Sequence, residues 1–336
     1  MDVFSLTRAL VDIESITGNE ERVGEYLFTI LAELARAYSG TVEKIEVEPG
    51  RFNLFAAFGQ PTVTLSTHID TVPPFIASSE DDEFIHGRGA CDTKGIQAAM
   101  LCAARALLAE GTRNFGILLV VGEEKNSVGA YHAATTPRGS RFIINGEPTE
   151  NKLALGSKGA LRYELKAHGK MAHSAYPGLG ESAIEKLLDA LARLRSIDLP
   201  YDDVLGACTL NIGQISGGRA PNIIPDEAEA ALMFRLVGDP NPVRQLVRWA
   251  AIDLVEAREV LMLPALHLGA LEGLATTVVA YTTDIPAFQG AWGQPFLLGP
   301  GSIHVAHTSE ERISKAQLAE AVTIYSTMVK RLTTAA

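Results

Sequence analysis

The stretch TVTLSTHIDTVPPFIASSEDDEFIHGRGACDTKG, residues 62–95, decides the fold. It opens as a β-branched and apolar run, the pattern of a strand buried on both faces of a sheet. The run ends in His68 and Asp70, and Asp92 lies between a loop and an apolar helix expected over 96–110 and stopped by Gly111. Downstream, FGILLVVGEE (115–124) reads as a second strand, a short helix is expected near 128–134, and RFIINGEPT (141–149) reads as a third strand. Upstream, helical spacing over 3–13 precedes Thr17 and Glu20, a capping-box pair for a helix of about five turns ending near Gly40. TVEKIEVE (41–48) and NLFAAFG (53–59) follow as strands. Alternating strands and helices are the grammar of an α/β fold with a mixed, mostly parallel sheet flanked by helices.

After Gly156 the pattern changes. ALRYELKAHG (160–169) alternates as a half-exposed strand does, and Ile184, Leu187, Leu188, Leu191 and Leu194 mark one face of a helix over 182–197. CTLNIGQISGG (208–218) and EAEAALMFRLVG (227–238) suggest an antiparallel pair, followed by a helix over 242–256 and a strand in REVLMLPALHLG (258–269). This is the text of a small α+β domain. From Leu271 core-like text returns, with a helix, PFLLGPGS (295–302) and a final helix over 314–332. The expected organisation is one domain built from 1–155 and 270–336, with a second over 156–269 inserted into it.

The 336 residues are 47% hydrophobic and 21% charged, which argues against disorder and suits an ordinary globular chain. A net charge of −11 without any Lys/Arg run argues against nucleic acid, because phosphate binding needs clustered cations. The 3 cysteines are too scattered for a disulfide framework. MDVFSLTRALVDIES lacks a basic n-region and no apolar run is long enough for a membrane span, so a cytoplasmic protein is expected.

The chemistry lies at strand ends. His68 and Asp70, then Glu123 and Glu124, then Glu147 each follow an expected strand, where open α/β sheets build their sites. If those ends converge with Asp92, several negative charges share one cleft, and they either bind protons or attract cations. No Lys or Arg cluster flanks them. Imidazole with carboxylates suits Zn²⁺, and three carboxylates with one hydroxide balance two such ions. Competing motifs are absent or fail. GRGACD starts like a dinucleotide fingerprint but puts Asp92 where the third glycine belongs, and there is no G-x-S-x-G, Walker A or H-E-x-x-H sequence. Isolated histidines such as His86, His132, His168 and His267 read as structural or solvated.

Taken in order, HIDTVP, GRGACDTKG, GEE, GEPT and LGPGSIHVAHTSEE resemble the zinc amidohydrolase and metallopeptidase family of acetylornithine deacetylase, succinyl-diaminopimelate desuccinylase, carboxypeptidase G and aminoacylase. The resemblance continues through GKMAHSAYPGLGESAIEKL and NIGQISGGRAPNIIPDEAEAALMFR, and LGPGSI with GRGACD is most similar to the acetylornithine deacetylase branch. It implies a zinc-exopeptidase-like catalytic domain with an inserted lid and dimerisation domain, two Zn²⁺ (Co²⁺ also serving) and a homodimer. His68, Asp92 and Glu147 would hold one ion and Asp92, Glu124 and His307 the other, with Asp92 bridging. Asp70 would fix the tautomer of His68. Glu123 would be the general base, taking a proton from metal-activated water. The family's last histidine precedes a glutamate by four residues, which favours His307 (with Glu311) over His304. His173 would polarise the scissile carbonyl across the dimer, Asn222 and Arg235 would bind substrate, and Gly299 and Gly301 would let it approach the backbone. Cys91 beside Asp92 is not expected to be a nucleophile. The implied reaction is deacylation of an N-acyl amino acid, N-acetylornithine first. Alternatives are N-acetyl-lysine or N-acetylcitrulline deacetylation, desuccinylation, di- or carboxypeptidase activity, and an inactive metal- or ligand-binding relative.

Overall fold

All six residues of the strand Val63–His68 are buried, because strands pair with both its edges and the helices Gly95–Ala109 and Lys315–Thr334 pack on it. In this computed structural model, which describes residues 2–334, the strand belongs to the larger of two units. That unit comprises the chain up to Leu155, Leu268–Thr277 and everything from Thr283; the other comprises Gly156–His267 and Val278–Thr282.

The larger unit's sheet runs Thr41–Glu48, Arg51–Phe58, Phe115–Val120, Val63–His68, Phe142–Asn145 and Gln294–Leu297, and then reaches Leu153–Ser157 through Ala154. The four strands from Phe115–Val120 to Gln294–Leu297 are parallel, and antiparallel pairs flank them. This is a mostly parallel sheet flanked by helices. The helix Gly95–Ala109 links Val63–His68 to Phe115–Val120 on one side; the next crossover carries the chain to Phe142–Asn145 on the other. Strand order thus reverses at Val63–His68, which opens a crevice at the carboxyl ends of these strands.

Helix Gly95–Ala109 is apolar nearly all round because it is buried nearly all round, packed against Val3–Val11 and the final helix Lys315–Thr334. Tyr325, wholly buried on that final helix, donates to the carbonyl of Leu298 at 2.8 Å and so pins the late strand end. Asn53, also wholly buried, accepts from Val121 N at 3.1 Å and donates to Gly129 O at 2.8 Å, tying the strand Arg51–Phe58 to the turn after Phe115–Val120. In that turn Gly122 has φ +81°, and a Cβ there would lie 2.9 Å from Arg51 Nη2. Arg51 is itself held in a bidentate pair with buried Glu20.

The smaller unit has a four-stranded antiparallel sheet in the order Thr209–Gly217, Glu227–Leu236, Gly159–His168, Glu256–Leu263. Its helices Ala183–Arg195 and Asn241–Ala251 cover one face, with Leu187, Leu191, Val243 and Val247 packed on Leu161, Leu165, Leu232 and Phe234. Ser182 caps the first helix by accepting from Glu185 N at 3.2 Å.

Several local expectations are corrected. Thr17 does not cap the second helix, Glu21–Tyr38; its hydroxyl donates to Asp70 at 2.8 Å, and the residue at the N-cap is Glu20, whose carboxylate is taken by Arg51. The helix expected after Leu271 is absent: Thr276–Val279 is a strand and Ile285–Phe288 a single 3₁₀ turn. The helix expected over 242–256 stops at Ala251, and Pro264 divides the strand expected over 258–269 into Glu256–Leu263 and Leu266–His267. A small antiparallel sheet of Ser79–Glu80, Phe84–His86 and Arg312–Ser314 was not foreseen. Among the described residues no helix is long and apolar enough to cross a membrane.

Replacing Asn53 by Ala strands a buried N–H and a buried carbonyl. Urea denaturation should show a loss of about 2 kcal/mol.

Candidate metal centre

Asp70 is the anchor of the crevice. It is fully buried, and its Oδ1 accepts from Gly122 N at 3.0 Å and Glu123 N at 3.1 Å. Its Oδ2 accepts from Glu124 N at 3.2 Å and from the Thr17 hydroxyl at 2.8 Å. Burial opposes ionisation, yet these donors and His68 hold the Asp70 carboxyl below its ordinary range. One carboxylate therefore shapes the whole turn that carries Glu123 and Glu124. The His68 Nδ1 lies 3.0 Å from the backbone carbonyl of Asp70 and 3.4 Å from its Oδ1, so the nearer partner is the carbonyl.

The other His68 nitrogen, Nε2, lies 3.0 Å from Asp92 Oδ1. Asp92 Oδ2 is 3.2 Å from His307 Nε2, which in turn is 2.9 Å from Glu124 Oε2. His68, Asp92 and Glu124 each offer a ligand atom, and these atoms lie within 4.8 Å of one another, close enough for a common ion. His307, with φ 64°, holds a left-handed conformation rare outside glycine, and its ring is turned onto Asp92 and Glu124. His304, exposed as His307 also is, makes no such contact among the described residues. Burial raises the Asp92 carboxyl but His307 and His68 outweigh it, leaving the group well below the carboxylate range. For Glu124, burial prevails over its bond to His307 and pushes the pKa up.

Glu147 is 4% exposed, and its Oε1 has no hydrogen-bond partner among the described residues. Burial, then the neighbouring Glu123, push it well above the usual range. A buried carboxylate oxygen left open beside other acids is the donor a cation would satisfy. Its loop is tied down by backbone bonds: Gly146 N donates to Ser66 O at 2.7 Å, Thr149 N to Gly299 O at 3.1 Å and Glu150 N to Gly301 O at 2.8 Å. Gly301 has φ +92°, and a Cβ there would meet Cys91 Sγ at 2.5 Å. Among the described residues Glu123 makes no side-chain hydrogen bond; burial, with Asp284, Asp92 and Glu124 adding to it against His68, raises its pKa well above normal. Burial likewise raises the Cys91 thiol well above its ordinary value, and its Sγ donates to Ser302 O, the arrangement of an unreactive thiol.

Sequence reasoning missed Asp284. It is 2% exposed, burial raises its pKa to about 7, and its charge is felt by Glu123 and Glu147. It stands just before Ile285–Phe288 but does not cap that turn, and its Oδ1 has no partner among the described residues. A single acid in TTDIPAF carries no spacing signal that would have revealed it.

His173, Asn222 and Arg235 belong to the smaller unit. His173 ends the short strand Ala172–His173, which pairs with Ile223–Ile224, and Ser174 N donates to Asn222 O at 3.0 Å, so these two positions are neighbours. Arg235 is half-buried on Glu227–Leu236, opposite Ala160 and Thr209. No ion pair forms at Arg235 among the described residues.

Residues 155–252 match the peptidase dimerisation domain of the M20 family. A peptidase M20 domain-containing protein of Schizosaccharomyces pombe is 38% identical over 98% of this chain and 84% of its own length. A probable carboxypeptidase of Aspergillus flavus is 38% identical over 97% of this chain and 89% of its own. Among solved structures, the aminopeptidase PepT from Bacillus cereus superposes with a TM-score of 0.81 over 98% of both chains at 20% identity, a likeness of fold. Identity of this degree along nearly the whole sequence reflects common descent, and the chain belongs to the M20 peptidase family.

Proposed function

We propose that the chain hydrolyses the amide bond next to a free carboxylate, as a metal-dependent carboxypeptidase or dipeptidase. The observation that carries this reading is the contrast between Glu123 and Glu124. Both hang from one turn set by Asp70, yet Glu124 meets His307 and lies within 4.8 Å of Asp92 while Glu123 stays unligated in a shielded position. One is suited to coordination and the other to proton transfer.

In this reading His68, Asp92 and Glu147 hold one divalent ion, and Asp92, Glu124 and His307 the other. Zn²⁺ is the first choice and Co²⁺ the second. Such a pair would lower the pKa of a bound water and polarise the scissile carbonyl. Glu123 takes the water's proton and delivers it to the leaving amine, and a raised pKa lets it do both near neutrality. Asp70 keeps the two glutamates at fixed relative positions. Arg235 clamps the substrate carboxylate in two hydrogen bonds, and Asn222, the neighbour of His173, also binds substrate. Gly301 lets the substrate approach the backbone. The smaller unit serves as lid and homodimer interface, from which His173 reaches into the partner's active site and polarises the scissile carbonyl.

The names of the curated relatives move the substrate from N-acetylornithine, expected from sequence, towards peptides. An N-acyl amino acid presents the same carboxylate beside the same amide, so deacylation is the second reading. A panel of dipeptides, C-terminally blocked peptides and N-acyl amino acids separates the two. If none is cleaved by protein carrying two metals per chain, the enzyme reading falls.

Glu123→Gln should lower kcat at least about a thousandfold while metal content, measured by mass spectrometry, stays near the native value. Glu124→Gln should lose metal instead, and the reverse pattern would exchange their roles. Asp70→Asn cannot accept four hydrogen bonds on two oxygens, and calorimetric titration should show metal affinity reduced about ten- to a hundredfold.

A further inference from the structure

Asp92 is the ligand on which both halves of the centre converge, and its side chain can reach His68 and His307 together only if its backbone is held still. The group holding it is Glu311. Glu311 Oε1 accepts from Cys91 N at 3.2 Å and Asp92 N at 3.1 Å, across 220 and 219 residues of sequence. Glu311 Oε2 pairs with Arg88 Nη1 at 2.5 Å, and the two side chains are 1% and 3% exposed. Both carboxylate oxygens are therefore occupied, which removes Glu311 from the candidate ligands.

Arg88 does more than neutralise it. Its Nη1 also donates to Thr308 O at 3.2 Å and its Nε to Pro74 O at 3.2 Å, so one guanidinium joins residues 74, 308 and 311. Gly87 N donates to Glu311 O at 3.0 Å, and Arg312–Ser314 then pairs with Phe84–His86. Thus the segment that supplies His307 also supplies the carboxylate that orients Asp92. A loop docked elsewhere would lose the histidine and the Asp92 geometry together.

We propose that Arg88 and Glu311 are the positioning residues of Asp92, making formation of the metal centre conditional on docking of residues 307–311. This rests on the reading of the crevice as a divalent-metal centre. Asp70 performs the equivalent task for the Glu123–Glu124 turn, so two of the site's acidic segments, 91–92 and 122–124, each have a buried carboxylate receiving their backbone N–H groups.

The test titrates Co²⁺ into the metal-stripped full-length chain by calorimetry and records the visible spectrum of the loaded protein. Glu311→Gln keeps an acceptor for the two N–H groups but removes the negative charge that faces Arg88. It should remain folded by circular dichroism, bind Co²⁺ about ten- to a hundredfold more weakly, and show altered Co²⁺ absorption bands. Should that variant not fold, Arg88→Lys, which keeps the charge but loses the fork to Thr308 and Pro74, should show weaker binding and the same spectral change. A folded variant of either kind with native Co²⁺ affinity and an unchanged spectrum overturns the proposal, even if its melting temperature has fallen. Absence of Co²⁺ binding by the unaltered chain would instead overturn the metal-centre reading and this proposal together.

Discussion

Repulsion among buried acids is the constraint to which the larger unit is built. Asp70, Asp92, Glu123, Glu124, Glu147 and Asp284 lie close enough to perturb one another's ionisation, and all are largely shielded from water. Such a group survives only if each charge is met by donors, by a proton or by a cation. The fold uses the first solution for Asp70, which receives three backbone N–H groups and a hydroxyl. Histidines meet Asp92 and Glu124, whereas Glu147 retains an open oxygen.

Backbone donors suit this task because they come with fixed geometry. A turn at a strand's carboxyl end exposes successive N–H groups, and a single carboxylate facing them satisfies several at once. Asp70 does this for residues 122–124 and Glu311 for residues 91–92. Neither carboxylate is then free to bind a metal. Acids whose oxygens are taken by backbone N–H groups thus stand beside acids that meet histidines, Asp92 and Glu124, and acids that keep an open oxygen, Glu147 and Asp284.

Much of this was legible in the chain. The parallel sheet was readable because Val63–His68, Phe115–Val120 and Phe142–Asn145 are short apolar runs, and acids follow each. The segment after Leu271 was misread because its apolar residues suit a helix or buried coil equally; packing made it a strand and a single turn. Thr17 and Glu20 satisfied the sequence rule for a capping box, but stronger partners, Asp70 and Arg51, claimed their side chains. A local rule cannot anticipate a competitor more than thirty residues away.

Residue type and order by themselves determined which groups are available at the strand ends, His68, Asp70, Glu123, Glu124 and Glu147, while Asp92 precedes a helix and His307 was indicated by the family resemblance. That follows because strand ends are marked locally, by where an apolar run stops. Only the tertiary structure decided how those groups share the work. It turned the His307 ring onto both Asp92 and Glu124, brought Asp284 into the acidic cluster, and turned Glu311 into the anchor of Asp92. Each of those outcomes depends on contacts between segments far apart in sequence, and such contacts are set by packing and by competition for buried hydrogen bonds.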